Sequence, residues 1–319
     1  MSAAIPANAD LVAAYRPTWS QRLGPYYKYF LLAPLGVMLI GFFALPLLWM
    51  FRVSLYESRG ASGFGIGGAK GKEGGGFYVE GTWTLDNYIK FFSDEYFQSI
   101  LLFTFEFAIL VTVVTMVLAY PMAYYIYKAG PRLKIALLIV VILPKLSNML
   151  VLVYGLQILL ANNGLVNDLL LLLGVIDEPV KLVYNLVSMT VSKVLLIIPY
   201  TILVITATLH GLDQTLPDAA KGMGAGPIQT FLSVTFPLSL PGTFVALLIT
   251  IVWALGAFVS PALLGNPDLQ TLAVEVPKQT FENVNWAMGS TIAFIMLGMM
   301  SLVVLLYNWM LSSRTPWHT

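Results

Sequence analysis

Phe30-Leu-Leu-Ala-Pro-Leu-Gly-Val-Met-Leu-Ile-Gly-Phe-Phe-Ala-Leu-Pro-Leu-Leu-Trp-Met-Phe51 runs for 22 residues without a charge. The hydrocarbon core of a bilayer is about 30 Å thick, and a helix crosses it in roughly 20 residues. Five further stretches approach the same character: 99–126, 135–161, 186–209, 242–265 and 286–311. The apolar run 169–175 is too short to span and reads as interfacial or re-entrant. Lipid offers the backbone no hydrogen-bond partner, so spans of this kind are expected to be helices. The ten-residue alternation of a membrane barrel is missing. The fold class expected is an all-α polytopic membrane protein with six transmembrane helices.

The whole chain agrees with its opening span. Of 319 residues 58% are hydrophobic and 10% charged, with a mean hydropathy of +0.80. Soluble domains are about half apolar and a quarter charged. A net charge of +1 gives no reason to expect nucleic acid. There is no cysteine, and His210 and His318 are the only histidines. Disulfides, thiolate metal sites and histidine-built centres therefore lack material, and no metal is expected.

Charge sets the expected orientation. About 25 mixed residues with Arg16, Arg22 and Lys28 precede the first span, which is too long for a signal-peptide core. Lys128, Arg132 and Lys134 crowd the second loop, which reads as cytoplasmic. The third and fifth loops carry one lysine each, Lys181 and Lys278, beside several acids, and read as outside. The expected organisation is a cytoplasmic segment 1–28, a membrane domain 29–311 and a cytoplasmic tail 312–319. Within it lie an external loop 57–98 and a cytoplasmic loop 210–241. Residues 60–76 hold nine glycines and read as a flexible tether. They do not form a phosphate-binding loop: Glu73 follows Gly71-Lys72 where Ser or Thr belongs, and Ile66 stands at the first glycine position.

The fourth loop is unlike the others. In Pro217-Asp218-Ala-Ala-Lys-Gly-Met-Gly-Ala-Gly-Pro227, proline and an early acid suit a helix start. Gly224 and Gly226-Pro227 break that helix, and Pro237 and Pro241 precede the next span. Small side chains at a helix tip let another protein's surface come close. The run Asp218-Ala-Ala-x-x-x-Gly-Ala225, then Phe231 and Phe236-Pro-Leu-Ser-Leu-Pro-Gly242, resembles the EAA loop of ABC-importer permease subunits. The resemblance continues through Leu255-Gly-Ala-Phe-Val-Ser-Pro-Ala-Leu-Leu-Gly265, Trp83-Thr-Leu-Asp-Asn-Tyr-Ile-Lys-Phe-Phe92 and Tyr120-Pro-Met-Ala-Tyr124. It covers roughly residues 30–311 and is most similar to the spermidine/putrescine-type (polyamine, opine, phosphonate) permeases.

The resemblance implies a type I ABC-importer permease fold in the bacterial inner membrane, with both termini cytoplasmic. It implies no enzyme activity and no cofactor on this chain, ATP and Mg being bound by a partner. The implied partners are a second permease subunit (a paralogue), two cytoplasmic ATPase subunits, a periplasmic or extracellular solute-binding protein, and membrane lipid. Asp218, Ala219, Ala220, Gly224 and Ala225 are the implied ATPase-coupling contacts. The family usually has Glu where Asp218 stands, and this loop is richer in glycine than most.

Charges at bilayer depth cost a few kcal/mol each, so Glu106, Lys145 and Lys193 each need a partner or a wet path. Glu106 pairing with one of the lysines is one reading; lining of the translocation pathway, with Phe258 and Ser260 of the matched motif, is another. Snorkelling from a span end is a third. Pro46, Pro121, Pro144 and Pro199 are candidate kinks, with Pro144 and Lys145 the place where a broken helix and polar function should coincide. Two lysines against one glutamate, and Ala257 where many relatives carry an acid, favour a small organic solute that is anionic or zwitterionic, such as an opine, an aminophosphonate or a carboxylate-bearing amine. A permease for an inorganic ion and an ATPase-independent transporter or channel are the alternative readings.

Overall fold

The computed structural model describes residues 27–58, 78–79 and 81–312. Arg16, Arg22, the glycine-rich stretch 60–76 and the tail from residue 313, with His318, lie outside the described residues. The chain divides after Arg52 into two compact units. The first is an apolar helical run in which α1 (Tyr27–Leu39) passes through a π turn (Ile40–Ala44) into α2 (Leu45–Ser54). Val37, Met38, Leu39 and Ile40, which point in successive directions round the helix, are all exposed, so no one side is reserved for a core.

The second unit begins with a short antiparallel pair, β1 (Glu57–Ser58) and β2 (Tyr78–Val79). It continues with α3 (Asp86–Ser93), α4 (Glu95–Lys128), α5 (Pro131–Ile142), a 3-10 turn (Leu143–Leu146), α6 (Met149–Leu160), α7 (Leu165–Leu172) and α8 (Leu186–His210). Then come α9 (Thr215–Gly222), α10 (Pro227–Thr230), a π turn (Phe231–Thr235), α11 (Phe236–Leu255), α12 (Val259–Leu264), α13 (Leu272–Pro277), a π turn (Lys278–Glu282) and α14 (Trp286–Ser312). Six helical runs among the described residues are long and apolar enough to cross a membrane: Leu32–Ser54, Glu95–Lys128, Met149–Leu172, Leu186–His210, Pro227–Leu255 and Trp286–Met310.

α8 is the most buried of these and packs against α4 and α11. Lipid does not drive helices together as water does, so close backbone approach and interhelical hydrogen bonds must hold them. Ala119 and Ala123 on α4 and Ala246 and Ala254 on α11 are fully buried and allow that approach. The Thr250 hydroxyl donates to the Ala246 carbonyl, which leaves the Thr201 hydroxyl to donate across the α8–α11 interface to Thr250 at 2.9 Å. At Gly242 the two helices come so close that a Cβ would collide with the Thr208 side chain.

Three boundaries differ from the sequence expectation. The third span is not one helix through 135–161. α5 stops at Ile142, Pro144 sits in the first turn of the 3-10 segment, and α6 restarts after Asn148, whose side chain accepts from the Leu150 N–H at 2.8 Å. Proline removes one ladder donor and Asn148 caps a new start, so the break is built from both sides. The short run 169–175 falls at α7, which closes at Gly174 with φ +66°.

The fifth span starts earlier and ends earlier than the expected 242–265, which places Pro237 and Pro241 ahead of the span. Pro237 stands two residues past the π turn Phe231–Thr235, within one continuous helical run, and Pro241 is carried inside α11. Helix instead ends at Leu255. Gly256 and Ala257 leave it, and the Ala257 carbonyl accepts from the Thr271 hydroxyl at 2.7 Å. Irregular backbone of this kind is tolerated at membrane depth because protein surrounds it.

The expected external loop 57–98 is partly helical. Asn87 and Phe91, four residues apart on α3, are both buried, and Asn87 Nδ2 donates to the Ser54 and Tyr56 carbonyls at 3.2 and 2.8 Å. Pro121 and Pro199 lie inside uninterrupted helices, whereas Pro46 is the second residue past the first π turn.

The α8–α11 contact gives a test. Gly242→Ala is expected to destabilise the protein by about 1–3 kcal/mol through overpacking, lowering the thermal midpoint in detergent. Adding Thr208→Ala should recover part of the loss.

Candidate functional site

Residues 211–226 stand between α8 and the long fifth helical run. Asp213 Oδ1 accepts from the Thr215 N–H at 2.9 Å and opens α9. The helix closes in a Schellman motif: the Gly224 N–H reaches the Lys221 carbonyl at 2.9 Å and the Ala225 N–H the Ala220 carbonyl at 3.1 Å. That geometry places Gly224 at φ +92°, where a side chain is strained. Asp218, Ala219 and Gly224 are exposed, Ala225 is half-buried, and Ala220 is buried within the chain. Asp218 Oδ1 pairs with Lys221 Nζ at 2.7 Å. The Lys221 hydrogen bond holds the Asp218 carboxyl below its ordinary pKa, and the Asp218 bond raises Lys221 above its own. Both side chains are exposed, so the pair adds little to stability. Met223 and Ile228 project from the loop at 84% and 74% exposure.

The loop is tied to the membrane helices by aromatic side chains from the end of α4. Tyr124 meets Phe231 edge-on at 4.8 Å between centroids and Tyr120 meets Phe236 at 5.4 Å. The Ser239 hydroxyl donates to the Phe236 carbonyl, so the Tyr120 hydroxyl donates to Ser239 Oγ at 2.7 Å. The Tyr127 hydroxyl donates to Gln214 Oε1, and its ring packs on His210 at 5.3 Å. The two matched stretches, 120–124 and 231–242, are far apart in sequence and form one cluster here.

At the other end of α8 lies a recess of ≈ 390 Å³ bordered by Met149, Lys193, Leu196, Trp253, Phe258 and Ser260, among others. Three of the five sequence-predicted pathway residues therefore share one wall. The Ser260 hydroxyl lies 2.9 Å from that of Ser192 on α8. Lys145 is adjacent: its Nζ sits 4.3 Å from the Tyr200 ring centroid and 5.6 Å from that of Trp253, a cation–π arrangement. The unwinding after Leu255 is what brings Phe258 and Ser260 beside α8.

Glu106 stands apart. It is exposed on α4 and forms an ion pair with neither Lys145 nor Lys193, so of the three readings the pairing is not the one found. Phe107 and Ala108, the next two residues of α4, are in the core, at 1% and 0% exposure. Glu106, one position before them and about 100° round the helix, points elsewhere.

A buried acid escaped the sequence reading. Glu275 on α13 is fully buried, accepts from the Tyr96 hydroxyl at 2.9 Å and Gln279 Nε2 at 2.6 Å, and lies 3.6 Å from Lys278 Nζ. Lys278 also donates to the Tyr96 oxygen at 2.8 Å, and that bond above all raises the Lys278 pKa. This network fastens the segment after α12 to the start of α4. The partners are some 180 residues apart in sequence, and no local pattern announces them.

A helix bundle with a recess at one end of its central helix, and a projecting loop at the other, is the architecture of a membrane permease subunit. Residues 116–314 match the family described as binding-protein-dependent transport system inner membrane component. The chain belongs to that family. It is 31% identical over 231 residues to the spermidine/putrescine transport system permease protein PotB of Escherichia coli (strain K12), across 72% of this chain and 83% of the relative. It is 26% identical over 206 residues to the molybdenum transport system permease protein ModB of Azotobacter vinelandii, across 62% of this chain and 89% of that one. In structure it resembles a bacterial ABC transporter involved in the import of the acidic polysaccharide alginate, with a TM-score of 0.71 at 15% identity over 93% of this chain and 99% of that one. The chain is thus a multi-pass inner-membrane permease with the fold of ABC-importer subunits.

Glu275→Ala leaves the Tyr96 hydroxyl and the Gln279 amide without their acceptor. A loss of about 1–3 kcal/mol is expected from such orphaned groups, read as a lowered thermal midpoint that Tyr96→Phe in the same background partly relieves.

Proposed function

We propose that this chain is one of two permease subunits in an ATP-driven importer of a small organic solute, and that the 211–226 loop is where the ATPase acts. The observation that carries the coupling role is the conjunction of an exposed, glycine-closed helix, α9, with an aromatic strut leading back to α4 and α11. In this reading Asp218, Ala219, Gly224 and Ala225 meet the ATPase together with Met223, and Ala220 supports them from within. Asp218 already has Lys221 as its partner, so apolar contact by Met223 and Ile228 contributes more than a new salt bridge.

ATP and Mg act on two cytoplasmic ATPase subunits, and a solute-binding protein delivers the cargo on the opposite face. The second permease is a paralogue, as in the systems the sequence resembles. An even number of spans supports placing both termini in the cytoplasm, beside the basic second loop. The higher identity to a spermidine/putrescine permease than to a molybdenum permease supports an organic solute over an inorganic ion. Lys145, Lys193, Phe258 and Ser260 line the route in this reading. Rocking of a bistable bundle about α8 would alternate its access.

Uptake into proteoliposomes holding the whole complex is the test. Replacing the ATPase by a hydrolysis-deficient variant should abolish uptake; transport that persists overturns the importer reading in favour of a secondary transporter or channel. Gly224→Val, which places a β-branched side chain at positive φ and costs about 1–2 kcal/mol locally, is expected to cut ATP-driven uptake about tenfold while the membrane helices retain their thermal midpoint.

A further inference from the structure

Lys193 is 7% exposed and belongs to the wall of the recess at one end of α8. Its ammonium has no hydrogen bond or ion pair with any described residue. Ammonium groups at such depth cost a few kcal/mol unless paired or hydrated. Lys145 makes the position worse, because it lies within electrostatic reach of Lys193 and is itself met by the rings of Tyr200 and Trp253 instead of a carboxylate. Glu106, the acid within the apolar body of α4, is exposed and forms no ion pair with either lysine. Lys193 therefore borders the recess with Lys145 near it, and no acid among the described residues lines the recess.

We propose that an anionic group on the transported solute, a carboxylate or a phosphonate, supplies that missing charge and docks at Lys193. The Ser192–Ser260 pair stands ready to help: either hydroxyl can donate to the other, so Ser192 can donate to Ser260 while Ser260 donates to the anion. Trp253 and Phe258, both partly exposed, offer apolar faces for the remainder of the solute, and Lys145 strengthens the positive field. A recess of ≈ 390 Å³ has the volume of a small organic ion and is far too small for a folded partner. The proposal deepens the importer reading and rests on it. It separates this chain from a dedicated polycation route, in which a buried lysine would repel the cargo.

The test uses three probes of similar length that differ in one end group: 4-aminobutanoate, 3-aminopropylphosphonate and putrescine. The complete wild-type complex, in nanodiscs of phosphatidylcholine, is treated with an amine-acylating reagent, and labelling of Lys193 is followed by mass spectrometry as a ratio to that of the exposed Lys221, which corrects for reagent consumed by the probes' own amines. At about ten times its dissociation constant, a bound anion should slow Lys193 labelling about tenfold. Either anion-bearing probe, or both, is expected to do so, and putrescine is expected to leave the rate unchanged. Which probe protects distinguishes carboxylate from phosphonate. Protection by putrescine, or by none of the three, overturns the proposal. So does protection by phosphatidylglycerol nanodiscs with no further effect of solute, which would assign the recess to a lipid headgroup. These outcomes are read without transport, so they stay separate from the ATPase test: uptake that ignores ATP sinks the importer reading whatever Lys193 does.

Discussion

Hydrocarbon gives a polar group nothing to bond to, and most of this molecule follows from that. Backbone donors and acceptors must be satisfied within helices or, where a helix breaks, by another part of the protein. The chain breaks at membrane depth where such a substitute exists: Asn148 caps the restart of α6, and Thr271 meets the Ala257 carbonyl. Helices bundled without a hydrophobic drive need small residues and shared hydroxyls. The fully buried alanines of α4 and α11, and the Thr201–Thr250 bond, meet that need around α8.

The same constraint explains why charge is concentrated at the two ends of the central helix and why the ends differ. Around 211–226 every ionic group is in water or paired, and aromatic rings carry the load between the loop and α4. At the recess, Lys193 stands in the wall, and Lys145 near it lies against the rings of Tyr200 and Trp253. Glu275 shows the costly case handled fully: a carboxylate out of water with three partners. Lys193 shows the case left open.

Much of this was legible in order. Span number and helical character followed from length and apolarity alone, because lipid removes the alternatives. The fourth loop's helix, and its termination at Gly224, followed from proline, acid and glycine positions. What failed, failed for physical reasons. Pro237 and Pro241 look like breakers in isolation and are both carried within one continuous helical run in place. The fate of Glu106 depended on helix rotation, which a nearly uniform apolar span does not encode, since every side of it is greasy. Trp253 and Tyr200, as ring partners of Lys145, and Glu275, as a buried acid, are products of tertiary approach, and their sequence neighbours say nothing of it.

The three π turns among the described residues, at Ile40–Ala44, Phe231–Thr235 and Lys278–Glu282, carry a further consequence. A π turn holds one residue more than the α-turn it replaces, and one residue is about 100° of rotation. The turn at Phe231–Thr235 lies between the 211–226 loop and the body of α11, so it fixes the compass bearing of the loop against the bundle by length, not by composition. A single-residue deletion there leaves hydropathy intact and swings the loop by more than a quarter of a circle. Chain length through such a turn is therefore as specific as any side chain, and a descendant of this protein can drift widely in sequence while its spacing there stays fixed.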